Sequence, residues 1–316
     1  MLTLLAAAVL AAPQPGALRT FGDWIVGCDN GLACQAVALV PEAADRDAYL
    51  LLVFQRGSAA ARPQLGFALN DSVAPGKPYA LNVDGRIVAR SVARGRAPEN
   101  AADVTLPLTP AMLAAMRNGH RIGLAGTPVS ASLKGFAATL LYMDDRQRHA
   151  APPLPVVTRP APGTKAPRRL TNARALAAIP AARDCDTPTI NFSPEAHRLD
   201  AAHSLVLIAH PCGNGAYNLF STVLIVDERG APAPARFDAA PTMGEPTSGS
   251  LVNADWDAAT RTLGIYAKGR GIGDCGVTQR YAWDGTRSRL VEQAVMGECR
   301  GSTDYIPTWR ARVVGR

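Results

Sequence analysis

The chain has 316 residues, of which 47% are hydrophobic, 6% are aromatic and 19% are charged. This length is enough for about two domains with sizeable cores. The formal net charge of +7 is mild for this size, and no dense lysine and arginine tract is interleaved with aromatic residues. We therefore expect no nucleic-acid partner.

The first residues form a short apolar run that ends in small residues and is followed by Pro13 and Pro15. The run is too short to cross a bilayer and is typical of a secretory signal. We predict a signal peptide over residues 1–12, with cleavage after Ala11 or Ala12. No later stretch reaches transmembrane length, so we expect no transmembrane segment and a periplasmic or secreted location.

The six cysteines of the chain all follow this predicted signal. An even number in an exported protein predicts disulfides, although every connectivity stays open from sequence alone. Proximity favours the pairs Cys28–Cys34, Cys185–Cys212 and Cys275–Cys299. No two cysteines have C-x-x-C spacing and no histidine set lies beside them, so we expect no metal site.

The first predicted domain covers residues 17–147. Trp24 and Val26 share one face of a strand, and the turn that follows brings Cys34 back beside Cys28. Apolar and β-rich runs predict further strands at 49–54, 64–69, 79–83, 86–89 and 121–125.

One helix is predicted near residues 109–119. Thr109 can cap it, Pro110 suits its first position, and Gly119 follows as a stop. Leu113 and Met116 would lie on one face. Residues 131–142 are predicted to begin as a strand and finish as a helix.

A proline-rich, basic stretch follows over residues 148–169. Prolines lack a backbone donor and favour the extended polyproline II conformation, so the pattern predicts a semi-rigid linker. The second predicted domain covers residues 170–316. It opens with a short helix near 171–182 and has buried strands near 204–210 and 216–226.

The stretch 251–299 predicts a meander of short strands. Leu263, Ile265 and Ala267 alternate with more polar residues, which places them on one face of a sheet. Asp284-Gly285 lies between two strand-like runs and predicts a tight hairpin. We therefore expect a mainly β fold, antiparallel and sandwich-like or barrel-like, in two domains with a few short helices.

The same stretch contains a G-x-G-x-x-G pattern that begins at Gly271 and ends at Gly276. A dinucleotide site needs a helix to begin at such a turn, so that its amides meet the pyrophosphate. Residues 277–283 are instead rich in strand formers, and Cys275 indicates a disulfide. We interpret the glycines as turn residues and expect no cofactor.

FGDWIVGCDN near the predicted mature start, the close second cysteine and SLKGFAATL near residue 136 resemble the invasion-associated locus B proteins of bacterial envelopes. Over its whole length, including LVNADW and GDC near residues 256 and 275, the chain more closely resembles the family called domain of unknown function 1176. The resemblance implies a secreted protein of a Gram-negative bacterium. It supplies no catalytic residues, and the cysteine-free stretch 91–100 departs from the invasion-associated pattern, so that role is not implied.

Motifs for chemistry are scarce. The sequence contains no G-x-S-x-G, and His203 and His210 flank one strand with an odd separation that makes them poor co-ligands. Asp255 and Asp257 share a face if extended, but beside Asn253 they are better explained as turn caps than as an acid/base pair. We therefore assign no catalytic residue.

Two hypotheses remain. The first is a noncatalytic envelope protein that binds another envelope protein or a cell-wall polymer, with an inhibitor of a hydrolase as a narrower version. The alternative is a periplasmic hydrolase that uses His210, Asp255 and Asp274. Trp256, Arg270 and Asp274 are the candidate binding residues, because they lie at turns that border the cysteine-closed loop.

Overall fold

A computed structural model describes residues 12–42, 49–67, 76–92, 104–179, 193–212, 214–215, 217–242 and 250–315. The predicted mainly β, antiparallel fold is confirmed. The described part contains 22 strands and three short helices, and the strands form sheets in which all but one pairing is antiparallel. All of the predicted signal except residue 12 lies outside the described residues.

The first half of the chain forms a six-stranded sheet in the order β1-β2-β3-β4-β5-β8 and a four-stranded sheet in the order β10-β9-β6-β7. The bounds are β1 Leu18–Phe21, β2 Trp24–Cys28, β3 Cys34–Ala38, β4 Leu52–Arg56, β5 Gln64–Phe67, β6 Pro78–Val83, β7 Arg86–Val92, β8 Val104–Pro107, α1 Pro110–Asn118, β9 Arg121–Leu124, β10 Ser130–Ser132 and α2 Phe136–Gln147.

One core cluster joins both sheets to the two helices. Trp24 of β2 is fully buried, lies 4.8 Å from the ring of Phe136 in α2, and donates its indole N–H to the Ser132 carbonyl at 2.9 Å. The prediction of α1 is also confirmed. Its first turn is capped by Thr109 Oγ1, which accepts from the Met112 amide, and Met112 and Met116 face the core.

The second half forms two five-stranded sheets. One has the order β12-β13-β14-β15 with β16 also paired to β14, and the other is the predicted meander β17-β18-β19-β20-β21. The bounds are α3 Asn172–Ala177, β12 Glu195–Arg198, β13 His203–Ala209, β14 Phe220–Asp227, β15 Pro232–Pro234, β16 Ser250–Val252, β17 Asp255–Asp257, β18 Thr262–Lys268, β19 Gly276–Trp283, β20 Ser288–Met296 and β21 Ile306–Arg310.

These two sheets bury a shared cluster that includes Leu205, Val223 and Ile265. The opposite face of β13 and β14 is covered by α3 and the residues beside it, where Ala175 and Ile179 pack against the sheet. One face of β13 therefore packs on the meander, and its other face packs on α3 and the residues beside it.

Part of the predicted linker is bound to the second half. Strand β11, Val156–Arg159, pairs in parallel with the last strand, β22, Arg312–Gly315. Farther along, Arg198 donates to the Lys165 carbonyl at 3.1 Å, and the Arg168 amide donates to Ser204 Oγ at 2.9 Å. The proline-rich segment therefore follows the surface of the second half.

A buried contact also joins the two halves. Ile25 and Val37 of the six-stranded sheet pack with Met296 and Ile306 of the meander. Polar contacts surround this cluster: the Gly16 amide donates to the Thr308 carbonyl at 2.8 Å, Gln35 Nε2 to the Tyr305 carbonyl at 3.1 Å, and Arg300 to Asp23 at 2.7 Å. We call this contact the junction.

Disulfides join Cys28 to Cys34 across the β2–β3 hairpin and Cys275 to Cys299 at the end of the meander. Cys212 is also disulfide-bonded. Its predicted partner, Cys185, lies outside the described residues. No described helix has the length and apolar character needed to cross a membrane.

Two glycines with positive φ differ in how closely the surrounding backbone is packed. Gly135 has φ +98°, and a Cβ there would lie 1.7 Å from the Phe21 carbonyl oxygen; Gly285 has φ +104° with nothing within 4 Å. We expect Gly285→Ala to lower the free energy of unfolding by about 1–2 kcal/mol through backbone strain alone. Gly135→Ala should cost at least about 2 kcal/mol more because backbone atoms must move. Urea unfolding measures both, and equal losses would contradict the packing.

Candidate functional site

Trp256, the first predicted binding residue, lies on β17 and is only partly exposed. Its ring stacks on His197 with centroids 5.3 Å apart, and its inner edge packs against the cluster between the two five-stranded sheets. These contacts make Trp256 a packing residue at the sheet edge.

Arg270 and Asp274, the other two, form an ion pair inside the loop between β18 and β19. Arg270 Nε donates to Asp274 Oδ1 at 2.6 Å, and Arg270 Nη2 donates to the Cys299 carbonyl at 2.7 Å. The Asp274 side chain is 1% exposed, and its Oδ2 accepts from the Gly301 amide at 2.7 Å. The hydrogen bond from Arg270 lowers the pKa of Asp274, against the opposing effect of burial. The pair braces the loop from within.

The residues of the hydrolase hypothesis lie in separate surroundings. His210 stacks on Phe220, its Nε2 lies 2.8 Å from Thr222 Oγ1, and burial lowers its pKa. Asp255 is exposed, and its carboxylate lies over Gly264 of the neighbouring strand. In the described part of the chain, no hydrogen bond or ion pair joins any two of His210, Asp255 and Asp274.

The glycine pattern at 271–276 leads into a strand, not a helix. Gly276 is the first residue of β19, and Gly273 has φ +71° in the turn before it. The hydroxyls of Tyr266 and Tyr305 both donate to the Gly273 carbonyl, at 2.9 and 3.1 Å. The loop is therefore a glycine turn that leads into a strand, and two tyrosine hydroxyls hold it in place.

This anchored loop carries an exposed apolar side chain. Ile272 is 63% exposed at its tip, and Tyr217 and Leu219 are 59% and 47% exposed in the segment before β14. The Tyr217 ring lies on the Cα of Gly271, since a Cβ there would be 2.4 Å from Tyr217 Cζ. These are three of the eight exposed large hydrophobic side chains in the described residues. We call Tyr217, Leu219 and Ile272 the apolar ridge.

Asn253 holds the ridge to the meander. Its Nδ2 donates to the carbonyls of Tyr217 and Tyr266 at 3.2 and 2.7 Å, and its Oδ1 accepts from the Leu219 amide at 2.9 Å. Its own amide donates to the Leu219 carbonyl at 2.8 Å. Asn253 has φ +45°, a left-handed conformation that asparagine tolerates better than most residues.

Two further asparagines fix the same segment. Asn218 Nδ2 donates to the Lys268 carbonyl at 2.9 Å, and Asn218 Oδ1 accepts from the Lys268 amide. Asn214 Oδ1 accepts from the Phe220 amide at 2.7 Å. Together with the disulfides at Cys212 and Cys275, these bonds immobilise the backbone on both sides of the ridge.

The ridge is suited to binding and offers no reactive group. Its three side chains are apolar or phenolic, and the nearby ionic pair is used inside the loop. Rigid aromatic and aliphatic side chains on an ordered backbone lose little conformational entropy on binding. The geometry therefore fits a contact surface.

Sequence reasoning located the loop but missed the ridge. The sequence predicts that Tyr217 and Leu219 belong to a strand near residues 216–226, whereas β14 begins at Phe220. The asparagine-rich composition around residue 218 is the available signal, because asparagine favours turns over strands. For Ile272, the signal is an isolated large apolar residue between two glycines.

A family model described as protein of unknown function (DUF1176) matches residues 18–314. The chain belongs to this family. A curated relative, "Uncharacterized protein YpfG" of Escherichia coli strain K12, is 28% identical over 332 residues, which cover 92% of this chain and 90% of the relative. The crystal structure of invasion associated protein b from Bartonella henselae is 18% identical, with a TM-score of 0.34; the match covers 42% of this chain and 99% of that one. The resemblance to domain of unknown function 1176 is confirmed.

Asn253→Asp tests the polar anchor of the ridge. The new oxygen would face the carbonyls of Tyr217 and Tyr266 and the Asn218 Oδ1 atom, which Nδ2 now satisfies, so we expect a loss of about 3 kcal/mol in the free energy of unfolding. An aspartate keeps the oxygen that accepts from the Leu219 amide, but its repulsion from the three acceptors should loosen the segment, so hydrogen exchange at that amide should accelerate. Asn172→Asp, the same change at an exposed position of α3, serves as the control and should be near neutral. Slow exchange at Leu219 in the first variant would contradict this role.

Asp274→Asn tests the internal brace. The lowered pKa means that the folded state favours the charged carboxylate, so its contribution is full above the unfolded pKa of about 3.9 and is lost as pH falls through the folded value. We expect a loss of about 2 kcal/mol at pH 7, and a wild-type advantage that shrinks in acid. Chemical unfolding across pH measures this, with the exposed Asp255→Asn as the control. An advantage independent of pH would count against the ion pair.

Proposed function

We propose that this protein is a noncatalytic binding protein exported to the bacterial envelope, and that the apolar ridge contacts a partner protein. The observation that carries the proposal is that the exposed Tyr217 ring packs on Gly271, next to the exposed Ile272, while the exposed Leu219 follows two residues along the same anchored segment. Exposed apolar side chains that lie together on a folded protein are typical of interaction sites, whereas isolated ones are not.

The energetics support a protein partner. Burying a fully exposed large apolar side chain contributes about 1.5–3 kcal/mol, so the half-exposed ridge offers on the order of 3 kcal/mol. The backbone is already ordered by Asn253, Asn218 and the disulfides, which lowers the entropic cost of association. Lys268 beside the ridge adds a positive charge, which would complement an acidic rim on the partner.

The cysteines support the proposed location. Every cysteine in the described residues is disulfide-bonded, and such bonds persist in oxidising compartments such as the periplasm. The apolar residues before Pro13 supply an export signal in this proposal. An exported protein with a rigid contact surface is what the disulfides, the ridge and the predicted signal support together.

Site-specific photo-crosslinking tests the partner. A photoreactive residue at position 272 or 219, introduced in the native host, should capture the same protein. A photoreactive residue at Leu141, which is 70% exposed on α2, should not capture it. With the captured protein purified, Tyr217→Ser with Ile272→Ser should weaken binding by at least about tenfold, and Leu141→Ser should not.

The outcomes separate the alternatives. Identical capture from all three positions, or affinity unchanged in the double variant, would overturn the ridge as the contact. Binding to purified cell-wall polymer with an affinity that the ridge substitutions leave unchanged would favour a polymer partner. Capture of a hydrolase whose activity falls with stoichiometric addition would make the protein an inhibitor.

A further inference from the structure

A second surface lies at the junction between the first sheet and the meander. A cleft with a volume of about 420 Å³ opens between the β3–β5 end of the first sheet and strand β21. We call it the junction cleft. Its polar lining includes Asp29, Gln35, Gln55, Arg56, Arg62 and Arg310.

Arg310 enters the cleft from the second half with its orientation fixed. Its Nε pairs with Asp29 Oδ2, and the Asp29 side chain is 1% exposed. Asp29 Oδ1 accepts from the amides of Gly31 and Ala33 at 2.8 and 3.1 Å, whereas its buried Oδ2 is ion-paired with Arg310 and accepts no hydrogen bond from a described residue. No described residue accepts a hydrogen bond from the two terminal nitrogens of Arg310, and its side chain is 46% exposed.

Arg56 lines the cleft from the first half and is held in a similar way. Its Nε donates to Gln147 Oε1 at 2.5 Å and its Nη1 to Asp144 Oδ1 at 2.7 Å. Gln147 is itself fixed, because its Nε2 donates to the carbonyls of Leu32 and Arg56. Nη2 of Arg56 is buried and has no acceptor among the described residues. A buried cationic donor without an acceptor is unfavourable, and an anion that reached it from the cleft would offset that cost.

Arg62 and a row of amides complete the cleft. Arg62 is exposed, and no described residue pairs with it. Gln35, Gln55 and Gln64 stand opposite one another on adjacent strands. Gln55 donates to Gln35 at 2.9 Å, which leaves the Gln55 carbonyl and the Gln64 amide for hydroxyl or amide groups of a ligand.

Charge and geometry then define the ligand. Three guanidinium groups line the cleft; Arg310 is paired with Asp29 and Arg56 with Asp144, which leaves Arg62 as the cation that no described carboxylate pairs. Guanidinium groups held from behind match the planar or tetrahedral oxygens of a carboxylate or phosphate. The geometry points to a binding site for a small anionic ligand with a carboxylate or phosphate group and further polar groups that the amide row would hydrogen-bond.

The site spans both halves of the chain. Arg310 and Pro307 come from the meander, whereas Arg56, Arg62 and the amides come from the first sheet. A ligand held by both sides adds to the free energy that keeps the halves together, so binding should raise the thermal stability of the whole protein. This site is independent of the ridge and of its partner.

Thermal unfolding of the full chain tests the site. Inorganic phosphate and a small tricarboxylate are titrated separately against sodium chloride of equal ionic strength. We expect at least one of the two anions to raise the Tm beyond the chloride control. Arg62→Gln, which removes no described contact, should weaken the apparent affinity at least about tenfold, and Arg62→Lys should recover part of it. Arg19→Gln, an exposed charge-matched change on β1, should leave the affinity unchanged.

A response to phosphate alone assigns a phosphorylated ligand, and a response to the tricarboxylate alone assigns a carboxylated one. The inference is overturned if neither anion shifts the Tm beyond chloride. It is equally overturned if Arg19→Gln weakens the response as much as Arg62→Gln does, because the effect would then be general screening of a basic protein.

Discussion

The junction between the first sheet and the meander is the contact on which the rest of the structure depends. Ile25 and Val37 bury their side chains against Ile306, and the same cluster contains Cys275, whose disulfide anchors the end of the loop that carries Ile272. The junction cleft opens at the edge of this contact, where Pro307 and Arg310 meet the first sheet. Removing apolar area from water therefore fixes both the ridge loop and the two walls of the cleft.

Polar side chains in both surfaces are used mainly to hold backbone and cations in place. Asn253 pairs with backbone groups of Leu219 just before β14, and Asn218 pairs with Lys268 in the part of β18 that β17 does not reach. Asp29 and Gln147 do the same for Arg310 and Arg56. In each case one polar side chain fixes the position of a neighbouring group, which is how a β scaffold can present a rigid surface.

Much of the fold was predictable because its signals are local. The cap at Thr109, the alternation at Leu263 and Ile265, and the turn at Asp284-Gly285 each act over a few residues, and the structure confirms α1, β18 and the β19–β20 hairpin. The candidate site was predictable only as a region. Asp274 is charged and lies in a turn, which predicts exposure, yet its pairing with Arg270 and Gly301 buries it. That outcome depends on Gly301, which is brought beside the loop by the Cys275–Cys299 closure.

By itself, the sequence determined the strand-rich character, the disulfide-bonded class and the place of the glycine turn, because periodicity, cysteine number and turn residues are properties of short segments. Only the tertiary structure decided which side chains stay exposed and which cations share a cleft. The Tyr217 ring packs on Gly271, and Arg56 and Arg310 line the same cleft, although tens to hundreds of residues separate the members of each pair along the chain. Such neighbours are set by how the sheets pack, and no local pattern encodes the packing of one half of the chain on the other.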